Sequence, residues 1–401
     1  MFKIIHTSDW HLGKTFHQYN RDDEFEFFFQ NLYHRVKTDK PDALLISGDI
    51  FDTMSPSLSA QRLWASVLEN LTAIAPQMDI IAIAGNHDSG SKLDVYANLF
   101  RDKIHIVGRS QEFFVLTGAD GSHAVVCAVP YIPGGFYRNY LEAIGHTGDD
   151  EESYMKQYFR AIAEKGAELR PTPDTPLILM AHTAVTGADF TGQEEYKFVF
   201  NDVSLLGEGY DYIALGHIHY PQNVKEGAAI VRYSGAPFAM GFDEAYPHSL
   251  SVASFDGRKP ALEILEHTEL RMPISLFEDA PLKADDVKDF IKKYEKETAD
   301  QYLRIFYHDD GTFNLAHRRQ LEVAFAEHPH VRLCVLQPVK PAAEHAEDGY
   351  EAAEIDITPE NVASLDAMGI AERRFYQIYN TEMPEKLVSL LKSVIYEDSE
   401  N

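Results

Sequence analysis

Phe2-Lys3-Ile4-Ile5-His6-Thr7-Ser8-Asp9-Trp10-His11 opens the chain with a short apolar run that ends on a carboxylate and an imidazole. The arrangement recurs. Ala43–Ile46 leads into Gly48-Asp49, Ile80–Ala84 into Gly85-Asn86-His87-Asp88, Leu177–Ala181 into His182, and Tyr212–Leu215 into Gly216-His217-Ile218-His219. These short apolar runs are strand-like. Between the runs, residues 21–37, 57–75, 91–100 and 150–169 have helical character. That alternation over residues 1–250 predicts an α/β layer fold. In open α/β sheets, the loops beyond the carboxyl ends of separate strands converge. Distant clusters of carboxylate, carboxamide and imidazole would therefore meet at one sheet edge.

Those ligand types suit phosphoester chemistry. In-line attack on phosphorus needs an activated water, neutralised phosphoryl oxygens and help for the leaving alkoxide; two cations roughly 3.5–4 Å apart can supply all three. A pair that close needs a bridging ligand with two oxygens, and Asp49 lies between the other clusters in sequence. Asp9 and His11 would bind one ion, Asn86 and His182 the other, while His217 and His219 can reach toward different ions. Gly48, Gly85 and Gly216 suit unusual backbone angles or close approach.

The ordered set Asp9-Trp10-His11, Gly48-Asp49-Ile50-Phe51-Asp52, Gly85-Asn86-His87-Asp88, His182 and Gly216-His217-Ile218-His219 resembles the calcineurin-like metallophosphoesterase superfamily. The segments His6–Lys14 and Gly48–Thr53, followed by Ser55-Pro56, are similar to the double-strand-break repair nucleases within it. The resemblance implies a two-sheet sandwich flanked by helices, a four-layer α/β fold. It assigns Asp9, His11, Asp49 and His219 to one ion, and Asp49, Asn86, His182 and His217 to the other. His87 matches a histidine that binds no metal but orients the scissile phosphate or protonates the leaving oxygen, a role suited to an imidazole near neutral pH. The implied ions are two divalent cations, Mn2+ foremost, and a donor set of oxygen and imidazole without thiolate fits that ion. Asp52 either orients His87 or caps a turn.

Singly, each ligand has a simpler explanation. An Asp after a strand is often a helix cap or turn former, and an isolated His182 would be a hydrogen-bonded structural histidine. Their co-occurrence in order carries the signal. His17, His34, His105, His123 and His146 lack such context and read as surface or packing residues. Lys14 and Lys92 border the clusters and read as solvated.

At 401 residues the chain exceeds one ordinary domain, and 45% hydrophobic content supports a sizeable core. No apolar run reaches membrane-span length, and the immediate entry into a strand leaves no expected secretory leader. Cys127 and Cys334 sit in separate apolar stretches, expected as thiols of a reducing cytoplasm, with a disulfide left open. The balance of 36 basic to 63 acidic residues, a net charge of −27, is the wrong sign for holding nucleic acid unaided. If DNA is the substrate, much of the grip must come from a basic partner or a few local lysines and arginines.

Past residue 260 the pattern changes. Ala261–Leu270, Tyr302–Tyr307 and Val331–Leu336 look strand-like, with helix-like Ala284–Lys296 and Leu315–Ala326 between them. Residues 261–337 are expected to form a small α+β unit, which the resemblance identifies as a DNA-capping domain after a 1–260 nuclease domain. Residues 338–358 are rich in Pro, Ala and acid and read as a linker. In the 359–401 tail, Leu387, Leu390, Leu391, Val394 and Ile395 recur at helical spacing. Such a face must be covered, by its own domain or by the coiled-coil ATPase subunit that the resemblance implies. The stripe Leu63, Trp64, Val67, Leu68, Leu71 and Ile74 is core-facing by pattern, whereas the resemblance implies homodimerisation through this region. Two rivals stand beside a DNA nuclease: a phosphomonoesterase or cyclic-nucleotide phosphodiesterase on the same scaffold, and a non-enzymatic DNA-tethering subunit.

Overall fold

The computed structural model describes residues 1–99, 102–133, 151–193, 203–225 and 229–340, with 383–384 and 387–388 beyond them. The first sheet contains β1 (Phe2–Thr7), β2 (Ala43–Ser47), β3 (Asp79–Ile83), β4 (Ile104–Val107), β11 (Ser249–Asp256) and β12 (Lys259–Glu266) in the order β12-β11-β1-β2-β3-β4. The second contains β5 (Glu112–Thr117), β6 (His123–Val129), β7 (Leu177–His182), β8 (Tyr212–Gly216), β9 (Gln222–Lys225) and β10 (Ile230–Tyr233) in the order β5-β6-β7-β8-β10-β9. In each sheet the central strands run parallel. Their carboxyl ends carry the polar clusters, as the sequence predicts.

Burial on both faces explains the unbroken apolar runs. In the first sheet Ile4, Leu45, Ile81 and Ile83 face the second sheet, meeting Val126, Ile178, Met180 and Ala214. The alternate residues Ile5, Leu44, Ile46 and Ile80 face α1 (Asp22–Asp39) and α2 (Leu58–Ile74). On the far side, α4 (Glu151–Glu168) covers Val125, Cys127, Leu177 and Leu179 of the second sheet. A third helix, α3 (Gly90–Leu99), follows β3. These are the expected layers of two sheets flanked by helices.

Ser57 caps α2 by accepting the Ala60 N–H at 3.2 Å. Trp64, Val67, Leu68 and Leu71 of its apolar stripe are buried in the chain's own core, while Ile74 is exposed. The stripe is therefore core, not a free face. Cys127 is buried and Cys334 half-buried, both as free thiols.

Two sequence expectations shift. Residues 261–266, expected to open the small unit, lie instead in β12, which pairs antiparallel with β11 from Asp256↔Lys259 to Ser249↔Glu266. The cause is the Gly257-Arg258 hairpin, whose glycine adopts φ +56°, the positive φ that a two-residue loop with glycine at its first position provides. The smaller sheet starts later, with β13 (Met272–Leu276), β14 (Gln301–His308) and β15 (Val331–Val339), all parallel. Its crossovers are α5 (Val287–Tyr294) and α6 (Leu315–Ala326). Pro338 and Val339, expected in the linker, pair with Tyr307 and His308 at the end of β15. The rest of the linker and almost all of the tail, including Leu390, Leu391, Val394 and Ile395, lie outside the described residues.

A buried polar knot fastens the small sheet to the larger layers. Arg21, before α1, donates to both carboxylate oxygens of Glu24 at 2.9 Å and to the Ala239 carbonyl at 2.8 Å. The Tyr302 hydroxyl of β14 donates to the same carboxylate, and its ring stacks on Phe16 at 4.0 Å. Removing one partner of a buried ion pair strands the other charge and typically costs about 3–5 kcal/mol. Glu24→Ala should therefore lower the unfolding free energy by about that much, measured by urea denaturation. A change below about 1 kcal/mol would mean that Arg21 finds another partner at little cost.

Candidate metal centre

The first two turns are joined by main chain. Asp9 N–H donates to the Gly48 carbonyl at 3.0 Å, His11 N–H to Asp49 at 3.0 Å and Leu12 N–H to Ile50 at 2.9 Å. Asp9, His11, Asp49 and His217 all have positive φ, at 53°, 46°, 49° and 100°. Left-handed backbone is uncommon for residues with side chains, and such strain concentrates at functional sites.

Glycines allow the turns to touch. Gly48, at φ +91°, packs so tightly that an added Cβ would sit 2.2 Å from His182 Nδ1. A Cβ on Gly216 would meet the Ser47 carbonyl at 1.9 Å. Here the two sheets approach backbone to backbone.

The structure brings together all the side chains expected as ligands. His11 Nε2 lies 3.2 Å from His219 Nε2 and 3.6 Å from Asp49 Oδ2. On the other side of Asp49, His182 Nε2 is 3.5 Å from the same oxygen. Asn86 Oδ1 stands 3.0 Å from His182 Nε2 and 2.8 Å from His217 Nδ1. The Asp9 carboxylate accepts the His217 N–H at 3.0 Å and the Ser8 hydroxyl at 2.5 Å. Asp9, His11 and His219 offer ligand atoms within 4.8 Å of one another, as do Asp9, Asp49 and His182.

The fit to cations rests on opposed acceptors. His182 Nδ1 lies 2.8 Å from the Ser47 carbonyl; a carbonyl only accepts, so Nδ1 carries a hydrogen. Nε2 then faces Asn86 Oδ1 and Asp49 Oδ2, two further acceptors that a cation or an added proton relieves. Burial alone would lower the His182 pKa, yet Asp49 and Asp9 push it up to about 9. The cluster draws a proton to a point suited to a metal ion. Asp49 is opposed by burial, but His182, His11 and His87 hold its carboxyl well below the usual range. Burial, then the neighbouring His182 charge, brings His217 down to about 3.

Several surrounding groups went unassigned in the sequence reading. Asp88 is buried and accepts the N–H groups of Gly85, Ile50 and Phe51 at 2.8, 3.0 and 2.9 Å, tying the second and third turns together. Burial and the charge of Asp49 raise its carboxyl to about 6. Glu244 lies 2.8 Å from His219 Nδ1; no repeated spacing marked it, since it stands outside the histidine clusters. Gln193 accepts the His219 N–H at 2.7 Å.

Asp52 acts through two different atoms. Its main-chain carbonyl accepts from His87 Nδ1 at 2.9 Å, leaving His87 Nε2 as that ring's other nitrogen. Its carboxylate lies 3.6 Å from His11 Nδ1 and 3.2 Å from Lys14 Nζ. Burial opposes ionisation, but His11 and Lys14 hold this carboxyl at about 2. The His87 ring packs edge-on against His11 with centroids 4.8 Å apart.

The histidines expected to be ordinary include His105, which pairs with Asp79 at 3.0 Å, and His123, which bonds Thr117 at 3.1 Å. His34 is exposed, and so is His17, whose ring contacts Phe16 and Phe242. His146 lies outside the described residues. Lys92 is held by the Met54 carbonyl at 2.7 Å.

A calcineurin-like phosphoesterase family model matches residues 2–221. The chain is 29% identical over 274 residues to SbcD of the nuclease SbcCD from Rhodobacter capsulatus, covering 64% of this chain and 67% of that protein. It is 30% identical over 255 residues to the SbcD protein of the same nuclease from Escherichia coli K12, covering 60% of this chain. That match spans 62% of the Escherichia coli protein, less than two thirds of its length. Among solved structures, a dimetal phosphatase from Danio rerio gives a TM-score of 0.41 at 12% identity, over 67% of this chain and 97% of that chain.

An ion that takes the His182 Nε2 position displaces the proton held there below about pH 9. Mn2+ affinity should therefore rise from neutral pH and level off above about 9. Calorimetry in buffers of different ionisation enthalpy should record proton release on binding. Affinity independent of pH, with no proton released, would contradict this assignment of charge.

Proposed function

This chain belongs to the calcineurin-like phosphoesterase family, and from that footing we propose that it is a metal-dependent DNA nuclease, the catalytic partner of the coiled-coil ATPase SbcC. The observation that carries the proposal is the gathering of Asp9, His11, Asn86, His182, His217 and His219 around the Asp49 carboxylate. Asp9, His11, Asp49 and His219 would hold one divalent ion; Asp49, Asn86, His182 and His217 would hold the second. Mn2+ suits this set of oxygen and imidazole donors. When bound, such ions supply an activated water and neutralise the charge that builds on the phosphoryl oxygens.

The chain's own groups do the rest. Asp49 faces imidazoles from both sheets through one carboxylate oxygen, so it orders the two ligand sets about a common point. His87 donates through Nδ1 to the Asp52 carbonyl, which leaves Nε2 as its second nitrogen. That nitrogen is suited to hold a proton for the departing sugar oxygen. The His87 main-chain N–H donates to Asp49 Oδ1 at 2.8 Å, linking the proposed acid's backbone to the carboxylate common to both ligand sets.

The similarity to proteins named as parts of the SbcCD nuclease supports DNA over other phosphoesters. Under this proposal the enzyme is a double-strand exonuclease and a single-strand or hairpin endonuclease of cytoplasmic DNA repair, recombination and replication. The β13–β15 unit would cap the DNA. Residues 338–358 would link it to a tail, 359–401, that docks on SbcC, and two copies would pair within a heterotetramer. A partner that contributes cations also reconciles a DNA substrate with a chain of charge −27. The same charge is what favours the second reading, a phosphomonoesterase or cyclic-nucleotide phosphodiesterase. Among the described residues no helix is long and apolar enough to cross a membrane.

Two measurements test this. With Mn2+, labelled linear DNA and a small phosphomonoester are offered with and without SbcC; DNA cleavage that increases with SbcC and ATP is expected. Preference for the monoester would end the nuclease proposal. Separately, His87→Ala should leave Mn2+ stoichiometry unchanged while lowering turnover about 10²–10⁴-fold. Lost metal occupancy would make His87 a ligand instead.

A further inference from the structure

Glu244 lies in the 3-10 turn Phe242–Glu244, and its side chain is buried, 4% of the residue being exposed. Both carboxylate oxygens are engaged. Oε1 is 2.8 Å from His219 Nδ1, and Oε2 accepts the Met240 N–H at 2.9 Å. An ionised carboxylate only accepts, so the hydrogen between Glu244 and His219 sits on Nδ1. Nε2 is left as the nitrogen directed into the cluster, 3.2 Å from His11 Nε2.

The turn around Glu244 is itself pinned. Its neighbour Ala239 accepts from the buried Arg21 at 2.8 Å and donates to Glu269 at 3.0 Å. His248 sits 3.3 Å from the Glu244 carbonyl. A carboxylate fixed this firmly restrains a ring better than water can. Outer partners of this kind set the tautomer and orientation of ligating imidazoles and typically change metal affinity about 10–100-fold.

We propose that Glu244 is a positioning residue that holds the His219 ring with its hydrogen on Nδ1, so that Nε2 is presented to a divalent cation. This rests on the cation-binding reading above and adds to it the group that aims one ligand.

The test begins with the unsubstituted, metal-free protein carrying 15N-labelled histidine. NMR at alkaline pH, where the ring is neutral, should show His219 as the Nδ1–H tautomer, its signals assigned by their loss in His219→Asn. Calorimetric titration with Mn2+ then compares the unsubstituted protein with Glu244→Ala and Glu244→Gln. Glu244→Ala should weaken one of the two binding events about 10–100-fold and spare the other. Glu244→Gln keeps one acceptor oxygen and should fall between. An Nε2–H tautomer in the unsubstituted protein would overturn the proposal even if both variants failed to fold. So would unchanged affinity in folded Glu244→Ala, or an equal loss at both sites that follows a lowered melting temperature. If the unsubstituted protein took up no Mn2+, the cation reading itself would fall, an outcome distinct from all of these.

Discussion

One Asp49 oxygen stands 3.6 Å from an imidazole of the first sheet's loops and 3.5 Å from an imidazole at the end of β7 in the second. Most of the molecule serves that juxtaposition. A carboxylate this deeply buried is costly unless positive charge or hydrogen bonds surround it. Both sheets must end at the same height, and both must lack bulk there. The Gly216 contact with the Ser47 carbonyl and the Gly48 contact with His182 meet the second requirement. Parallel strands buried on both faces meet the first, because every central strand delivers its carboxyl end to the same rim.

Much of this was legible in the sequence, because each ligand follows an apolar run whose length and composition mark a buried strand. Phe2–Thr7, Ala43–Ser47 and Leu177–His182 differ from their expected bounds by a residue or two at the polar end. Main-chain pairing simply continues into the ligand turn. What escaped notice depends on long-range proximity without periodicity. Glu244 stands outside the ligand clusters in sequence, and Asp88 was visible in its cluster without any sign that it collects three N–H groups from two turns. Of the two alternatives for Asp52, contact with the His87 ring is the one the structure carries; nothing in the sequence signals that the main-chain carbonyl makes it while the carboxylate faces His11.

The misplaced strand has a similar origin. Residues 259–266 alternate exposed and half-buried on the outer edge of the first sheet, so their apolar content resembled the start of a new unit. Gly257, first residue of the two-residue Gly257-Arg258 loop, was the available signal for a hairpin back onto β11. Arg21 and Glu24 show another limit of sequence reading. Charged residues at a helix start suggest a solvated end, yet both are buried, because Tyr302 and Ala239 arrive from remote segments to complete their hydrogen bonds.

Phe242, Asp243 and Glu244 are consecutive, but they serve different masters. Phe242 packs edge-on against Phe16, which itself stacks on Tyr302 of the small sheet; Asp243 meets Arg304 of β14 at 3.0 Å; Glu244 reaches His219. A single turn thus belongs mechanically to two places. A shift of the small sheet would be felt at the turn whose carboxylate meets His219, and any such coupling would run both ways. Were a seated small sheet to strengthen ion capture, a captured ion would steady the small sheet by the same free energy.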